Sequence, residues 1–115
     1  VDQGRAIQDG KELPMIRHIV FFSVKDQADR DRVEQGLKLL AATPHARNFE
    51  IGRNLDHDAI SEPVDFVVYG EFEDEAALAA YKADPLYQRS IDIVRPLREL
   101  RIAADFVSAV PAAPD

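Results

Sequence analysis

The sequence predicts an α+β domain, a ferredoxin-like protomer with element order β-α-β-β-α-β. Three observations carry that prediction. Four segments dense in β-branched and aromatic residues repeat with period two, and two intervening segments repeat apolar residues at helical spacing. A chain of 115 residues also has room for only one core.

The first strand spans Ile16 to Val24, with Ile16, His18, Val20, Phe22 and Val24 on one face and Arg17, Ile19, Phe21 and Ser23 on the other. Both faces are largely apolar, so this strand needs cover on both sides. Asp26 or Asp29 is placed to cap a helix whose Val33, Leu37 and Leu40 form one apolar stripe, and Thr43-Pro44 ends it. Phe49 and Ile51 alternate with Asn48, Glu50 and Gly52 in a short second strand, and a polar loop follows from Asn54 to Pro63. The third strand runs from Val64 to Phe72, again with apolar residues on both faces. Asp74 opens an alanine-rich helix through Ala83, Asp84-Pro85 interrupts it, and a second helical piece continues from Leu86 to Val94. Leu100 to Val107 forms the last strand.

Two short helices cover one face of a four-stranded sheet and leave the other bare. A bare face carrying Ile19, Phe21 and Val67 is more apolar than a monomer exposes, so the sequence predicts a homodimer packed sheet against sheet. Period two does not decide which face is bare: Phe21 and Val67 lie at the interface, and Phe22 and Val68 in the helix-packed core, if the bare face is theirs rather than the opposite one.

Composition narrows the function classes. The chain has no cysteine, which removes disulfides, thiolate nucleophiles and cysteine-based metal centres, and suits a cytoplasmic protein. A net charge of −7 argues against nucleic acid or an anionic membrane as partner, because both demand clustered Lys and Arg. No stretch reaches the roughly 20 apolar residues that cross a bilayer. The expected organisation is a flexible N-terminal extension at 1–14, the domain at 15–107 and a flexible tail at 108–115. Met15 stands directly before the first strand and is a candidate natural start.

Several sequence features in order point to one family. Arg17-His18-Ile19-Val20 opens the domain, Gly52-Arg53-Asn54 follows the second strand, and Asp65 precedes Glu71-Phe72-Glu73-Asp74. Leu78 and Tyr81, the Asp84-Pro85-Leu86-Tyr87 corner and Asp105-Phe106 complete the set. Over Met15 to Val107 the chain resembles the stress-responsive dimeric α/β barrel (Dabb) family. The resemblance implies a ferredoxin-like protomer that pairs with its copy into a dimeric α/β barrel. It also implies what a catalytic version would use: a plant polyketide cyclase of the family relies on a tyrosine of the second helix and the last histidine of a His-Pro-x-His corner. Tyr81 matches the tyrosine, whereas Asp84 and Tyr87 stand at the two histidine positions. His18 matches the family's first-strand histidine.

The catalytic candidates are therefore His18, Tyr81 and Tyr87, each weighed against a packing role. A lone histidine among Ile16, Val20 and Phe22 is ordinarily a core residue with a satisfied ring nitrogen. Leu78 and Tyr81 are neighbours on one helical face, so a core tyrosine is an equal reading of Tyr81. Tyr87 lies six residues beyond Tyr81, on a different face of a continuous helix, and only the Asp84-Pro85 break lets the two converge. As a base, tyrosine with a pKa near 10 needs about 4 kcal/mol or more of stabilisation to match histidine, which leaves His18 as the alternative base on the opposite wall. The Asp56, His57, Asp58 and Glu62 loop lacks the spacing of a calcium site, and Glu71, Glu73, Asp74 and Glu75 read as a charged strand end and helix start. His45 has no evident partner. No metal or organic cofactor is expected. The function expected is a homodimeric protein that binds a small hydrophobic or aromatic molecule with no assigned reaction. Its alternatives are a cofactor-independent, cyclase-like enzyme acting on a polyketide or aromatic carbonyl compound, and a purely structural oligomer.

Overall fold

The computed structural model describes residues 15–110, so the predicted extension at 1–14 and the end of the predicted tail at 111–115 lie outside the described residues. Strands β1 (Ile16–Val24), β2 (Asn48–Arg53), β3 (Phe66–Phe72) and β4 (Arg98–Val107) form one antiparallel sheet in the order β2-β3-β1-β4. Helices α1 (Arg30–Lys38), α2 (Glu75–Ala83) and α3 (Pro85–Val94) lie on one face. This is the predicted α+β ferredoxin-like arrangement, with β1 central and paired on both edges.

The helix starts follow from aspartates. Asp26 accepts from the Ala28 N–H and opens a short 3-10 turn, Gln27–Asp29, that leads into α1. After Lys38 the helix tightens into a 3-10 turn, Leu39–Ala42, before Thr43-Pro44. Asp74 caps α2 by accepting from the Ala77 N–H, and Asp84 caps α3 by accepting from the Leu86 N–H, with Pro85 at the first helical position.

Two strand boundaries differ from expectation. The third strand begins at Phe66 rather than Val64, because Asp65 turns its carboxylate back to the Val24 N–H at 2.9 Å and its own N–H to the Phe22 carbonyl. The last strand begins at Arg98 rather than Leu100, two residues before the period-two pattern becomes visible. Val24 pairs with Arg98 and Ser23 with Leu100, so Glu99 is an extra, unpaired residue at a β-bulge. The buried Ser23 hydroxyl accepts from the Leu100 N–H at 3.1 Å and satisfies the backbone there.

The core lies between sheet and helices, with Val20, Phe22, Phe66, Val68 and Phe72 meeting Val33, Leu37 and Val94. Gly36 sets how closely α1 approaches α3: a Cβ there would lie 2.8 Å from Ile93 Cγ2 and 2.9 Å from Val94 Cγ2. Among the described residues the opposite sheet face has no cover. Phe21 is 38% exposed and its strand neighbour Ile102 is 54% exposed. This face is not apolar throughout. At one end Glu71 accepts from Arg17, Tyr69 and Asn48, so Glu71 belongs to a cross-strand network rather than to a solvated strand end. The Tyr69 and Asn48 hydrogen bonds hold the Glu71 carboxyl below its ordinary pKa. Ser108, placed by sequence in the tail, is buried and donates its N–H to the Met15 carbonyl.

Candidate functional site

The period-two pattern of β1 directs His18 toward the helices, where it is 1% exposed. Its register partner on β3 is Gly70, and the missing side chain there admits Phe49 and Phe72: a Cβ at Gly70 would lie 2.9 Å from a ring atom of each. Its partner on β4 is Asp105, whose Oδ1 lies 2.5 Å from His18 Nδ1. Lys82 of α2 reaches the same carboxylate at 3.9 Å.

Tyr81, 1% exposed in the last turn of α2, completes an aromatic cluster. Its ring centroid lies 5.8 Å from His18, 5.1 Å from Phe72 and 5.5 Å from Phe49. Asp84-Pro85 redirects the chain between α2 and α3, and the Tyr87 ring comes to 5.1 Å from that of Tyr81 in an edge-to-face arrangement. The break therefore brings together two tyrosines that a continuous helix would hold apart. His45, expected to lack a partner, braces this corner with Nε2 3.3 Å from Asp84 Oδ2. Asp84, at the junction of α2 and α3 and distant in sequence, supplies that contact, which local sequence does not reveal.

All three predicted residues line one cavity of about 330 Å³ between sheet and helices. Val20, Phe22 and Val68 form its floor, Leu37, Leu40 and Ile91 part of its roof, and the buried Ser90 one side. Its size falls at the lower end of the roughly 300–1,000 Å³ typical of small-molecule pockets. Arg95, Arg98 and Arg101 also line it, and Arg101 Nη2 lies 3.4 Å from the Tyr87 hydroxyl.

The electrostatics give the polar groups distinct states. Burial is the largest influence on His18 and lowers its pKa, opposed by the hydrogen bond and charge of Asp105 and reinforced by Lys82 and Arg101. The imidazole is thus neutral near pH 7. With Nδ1–H donating to Asp105, its lone pair sits on Nε2, which has no hydrogen-bond partner among the described residues. Burial pushes the Tyr81 phenol well above its ordinary pKa, with Tyr87 adding to the rise and Arg101 opposing it. Tyr81 is therefore a donor, and among the described residues its hydroxyl has no acceptor. No group of three or more His, Asp or Glu side chains among the described residues is placed to hold a metal ion.

Sequence reasoning missed Asp105 as a site residue and missed the three arginines. Period two places Asp105, Ala103 and Arg101 on one face, but only the β1-β4 register puts Asp105 beside His18. The bulge hid the common face of Arg98 and Arg101.

Residues 16–108 match the stress responsive A/B barrel domain family. The chain belongs to the Dabb family. It is similar to a dimeric ferredoxin-like protein of unknown function from Thermobifida fusca, with 31% identity over 84% of this chain and 93% of that one and a TM-score of 0.71. A Dabb family protein with a ferredoxin-like fold from Mesorhizobium loti is 25% identical over 84% of this chain and 99% of that one, with a TM-score of 0.69. A dimeric ferredoxin-like protein of unknown function from Jannaschia is also 25% identical, over 80% and 97% of the two chains, with a TM-score of 0.70. No curated protein sequence matches. The Dabb assignment accounts for the fold, and it specifies no reaction. No helix among the described residues is long and apolar enough to cross a membrane.

Proposed function

We propose that this Dabb protein is a homodimeric small-molecule-binding protein whose ligand site is the cavity between its sheet and its helices. The observation that carries the reading is the joint exposure of His18, Tyr81 and Tyr87 to that one cavity, with apolar side chains filling the rest of its wall. A purely structural oligomer would fill this space with side chains. The uncovered face around Phe21 and Ile102 supports pairing with a second copy, as do the dimeric proteins of similar fold. The cysteine-free composition fits a reducing compartment such as the cytoplasm.

The His18–Asp105 pair favours a second, catalytic reading. Asp105 fixes the tautomer, His18 Nε2 offers a neutral base, and Tyr81 offers a hydroxyl to a carbonyl oxygen. Together these suit removal of a proton α to a carbonyl, with the developing enolate oxygen held by the phenol. Tyr87, in place of the corner histidine, contributes a second donor and no base. On this reading the base lies on the sheet.

The ligand site is tested by titrating 2-naphthamide, a neutral aromatic probe, into protein with isotopically labelled methyl groups. Shifts concentrated on Val20, Val68 and Leu37, and abolished by Ser90→Phe, are the expected result. Shifts scattered over the surface would refute the site. For the catalytic reading, linear tri- and tetraketides are incubated with wild type, His18→Ala, Tyr81→Phe and Tyr87→His. Turnover that His18→Ala abolishes supports the sheet-borne base. Activity confined to Tyr87→His instead assigns the base to the corner and makes the wild-type site a binding site only.

A further inference from the structure

In a chain with a formal charge of −7, three arginines within seven positions border the cavity, and no Asp or Glu is among its lining residues. Arg95 ends α3, and Arg98 and Arg101 belong to β4. A basic residue at the end of a helix is favourable by itself, so Arg95 alone signifies little. The two strand arginines require another explanation. Residues three apart on a regular strand point to opposite faces. Here Glu99 is the extra residue of the bulge, so Arg98 pairs beside Val24 and Arg101 beside Phe22, both on the helix-covered face. The Ser23 hydroxyl secures the bulge from beneath by accepting the Leu100 N–H.

The register of β4 thus shifts where the extra residue turns a second arginine into the cavity, which is a recognised use of bulges near functional sites. Gathering like charges there is unfavourable without a counter-charge. Among the described residues none of the three forms an ion pair, although Arg17, Arg30 and Arg53 all do. Partial burial lowers the Arg98 pKa, and the charges of Arg101 and Arg95 lower it further. The position of an anion is therefore prepared and its neighbours are apolar.

We propose that the ligand of this cavity is an amphipathic organic anion. Its carboxylate or phosphate monoester is held by Arg98 and Arg101, with Arg95 alongside, and its apolar body lies against Val20, Phe22 and Val68. The inference rests on the cavity being a ligand site and adds the chemical class of the ligand. Guanidinium groups bind either head group through paired N–H donors. Arg101 also adjoins Tyr87, so the head group lies at the tyrosine end of the cavity.

The experiment compares three probes of one shape class, 2-naphthamide, 2-naphthoate and 2-naphthyl phosphate, by calorimetry and methyl shifts at low and high salt. The expected result is at least tenfold tighter binding of one anion than of the amide, with the stronger anion identifying the head group. That preference should shrink in high salt and vanish in Arg98→Gln/Arg101→Gln, while the amide still binds. Arg101→Gln alone changes an exposed residue, preserves the fold and should lose part of the preference. Equal binding of all three probes by wild type, or a preference that survives the double substitution, overturns the inference and leaves the ligand site standing. No binding of any probe overturns the ligand site as well.

Discussion

Replacing Phe21 with glutamate should separate the homodimer into folded protomers. Phe21 lies at the centre of β1 on the face without helices, and Ile102 is its partner across the strand pair. It is 38% exposed in the protomer. For an aromatic side chain of roughly 200 Å² that leaves about 80 Å² for a partner to cover, worth about 2 kcal/mol at 25 cal/mol per Å². A two-fold axis presents the residue twice, so loss of the ring costs about 4 kcal/mol, close to a thousandfold in Kd. An unpaired carboxylate at the interface adds to that cost. Sedimentation velocity over a range of micromolar concentrations reads the change, and circular dichroism checks the fold. Ile102→Glu, at a still more exposed position, should behave alike and guards against a folding defect in the first variant. Wild type sedimenting as a monomer, or a Phe21→Glu protein that is folded and still dimeric, would refute the sheet-to-sheet interface.

Two further predictions concern stability. Gly36→Val places methyl groups where Ile93 and Val94 already lie, so overpacking of about 1–3 kcal/mol should lower Tm by about 5–15 °C; an unchanged or raised Tm would show that α1 and α3 can separate without cost. Because burial depresses the His18 pKa, the unfolded chain takes up this proton first as pH falls. The His18 contribution is complete above about pH 6.5 and is lost below it, as pH falls toward the depressed folded value. Chemical denaturation between pH 7.5 and 5 should therefore show declining stability, and the decline should flatten in His18→Phe. The lowered carboxyls of Glu34 and Glu71 lose their contributions only below about pH 4.5, outside this window. A slope identical in wild type and variant would contradict a buried neutral imidazole.

Most of the fold was legible in the sequence because its signals are local. Period two identified all four strands, Asp74 and Asp84-Pro85 marked the helix starts, and apolar residues on both faces of β1 pointed to cover on both sides. What escaped notice depends on register. Glu99 looks like an ordinary strand residue, and only its missing partner opposite Ser23 and Val24 reveals the bulge. Asp105 looks like a polar residue near a strand end until pairing sets it against His18. Gly36 sits inside a helical pattern where glycine is unfavourable, and the approach of α3 is its reason. The three site candidates were found individually, and the turn at Asp84-Pro85 explains how Tyr81 and Tyr87 meet despite their spacing.

The corner substitutions acquire a different meaning once these contacts are combined. Judged against a cyclase that relies on a corner histidine, Asp84 and Tyr87 leave the helical wall without a base. Yet both corner residues have structural work: Asp84 caps α3 and engages His45, and Tyr87 packs on Tyr81 and reaches Arg101. On the catalytic reading proposed above, the base lies instead on the sheet, where His18 of β1 and Asp105 of β4 are paired. A strand paired on both edges fixes side chains more firmly than a helix corner does, and a one-residue slip of β1 would send His18 to the interface and Phe21 into the cavity. On the proposed function, the face that pairs with a second copy and the face that binds a ligand are alternate residues of one strand. Whatever secures the register of β1, including the Ser23 hydroxyl beneath the bulge, secures the interface and the cavity together.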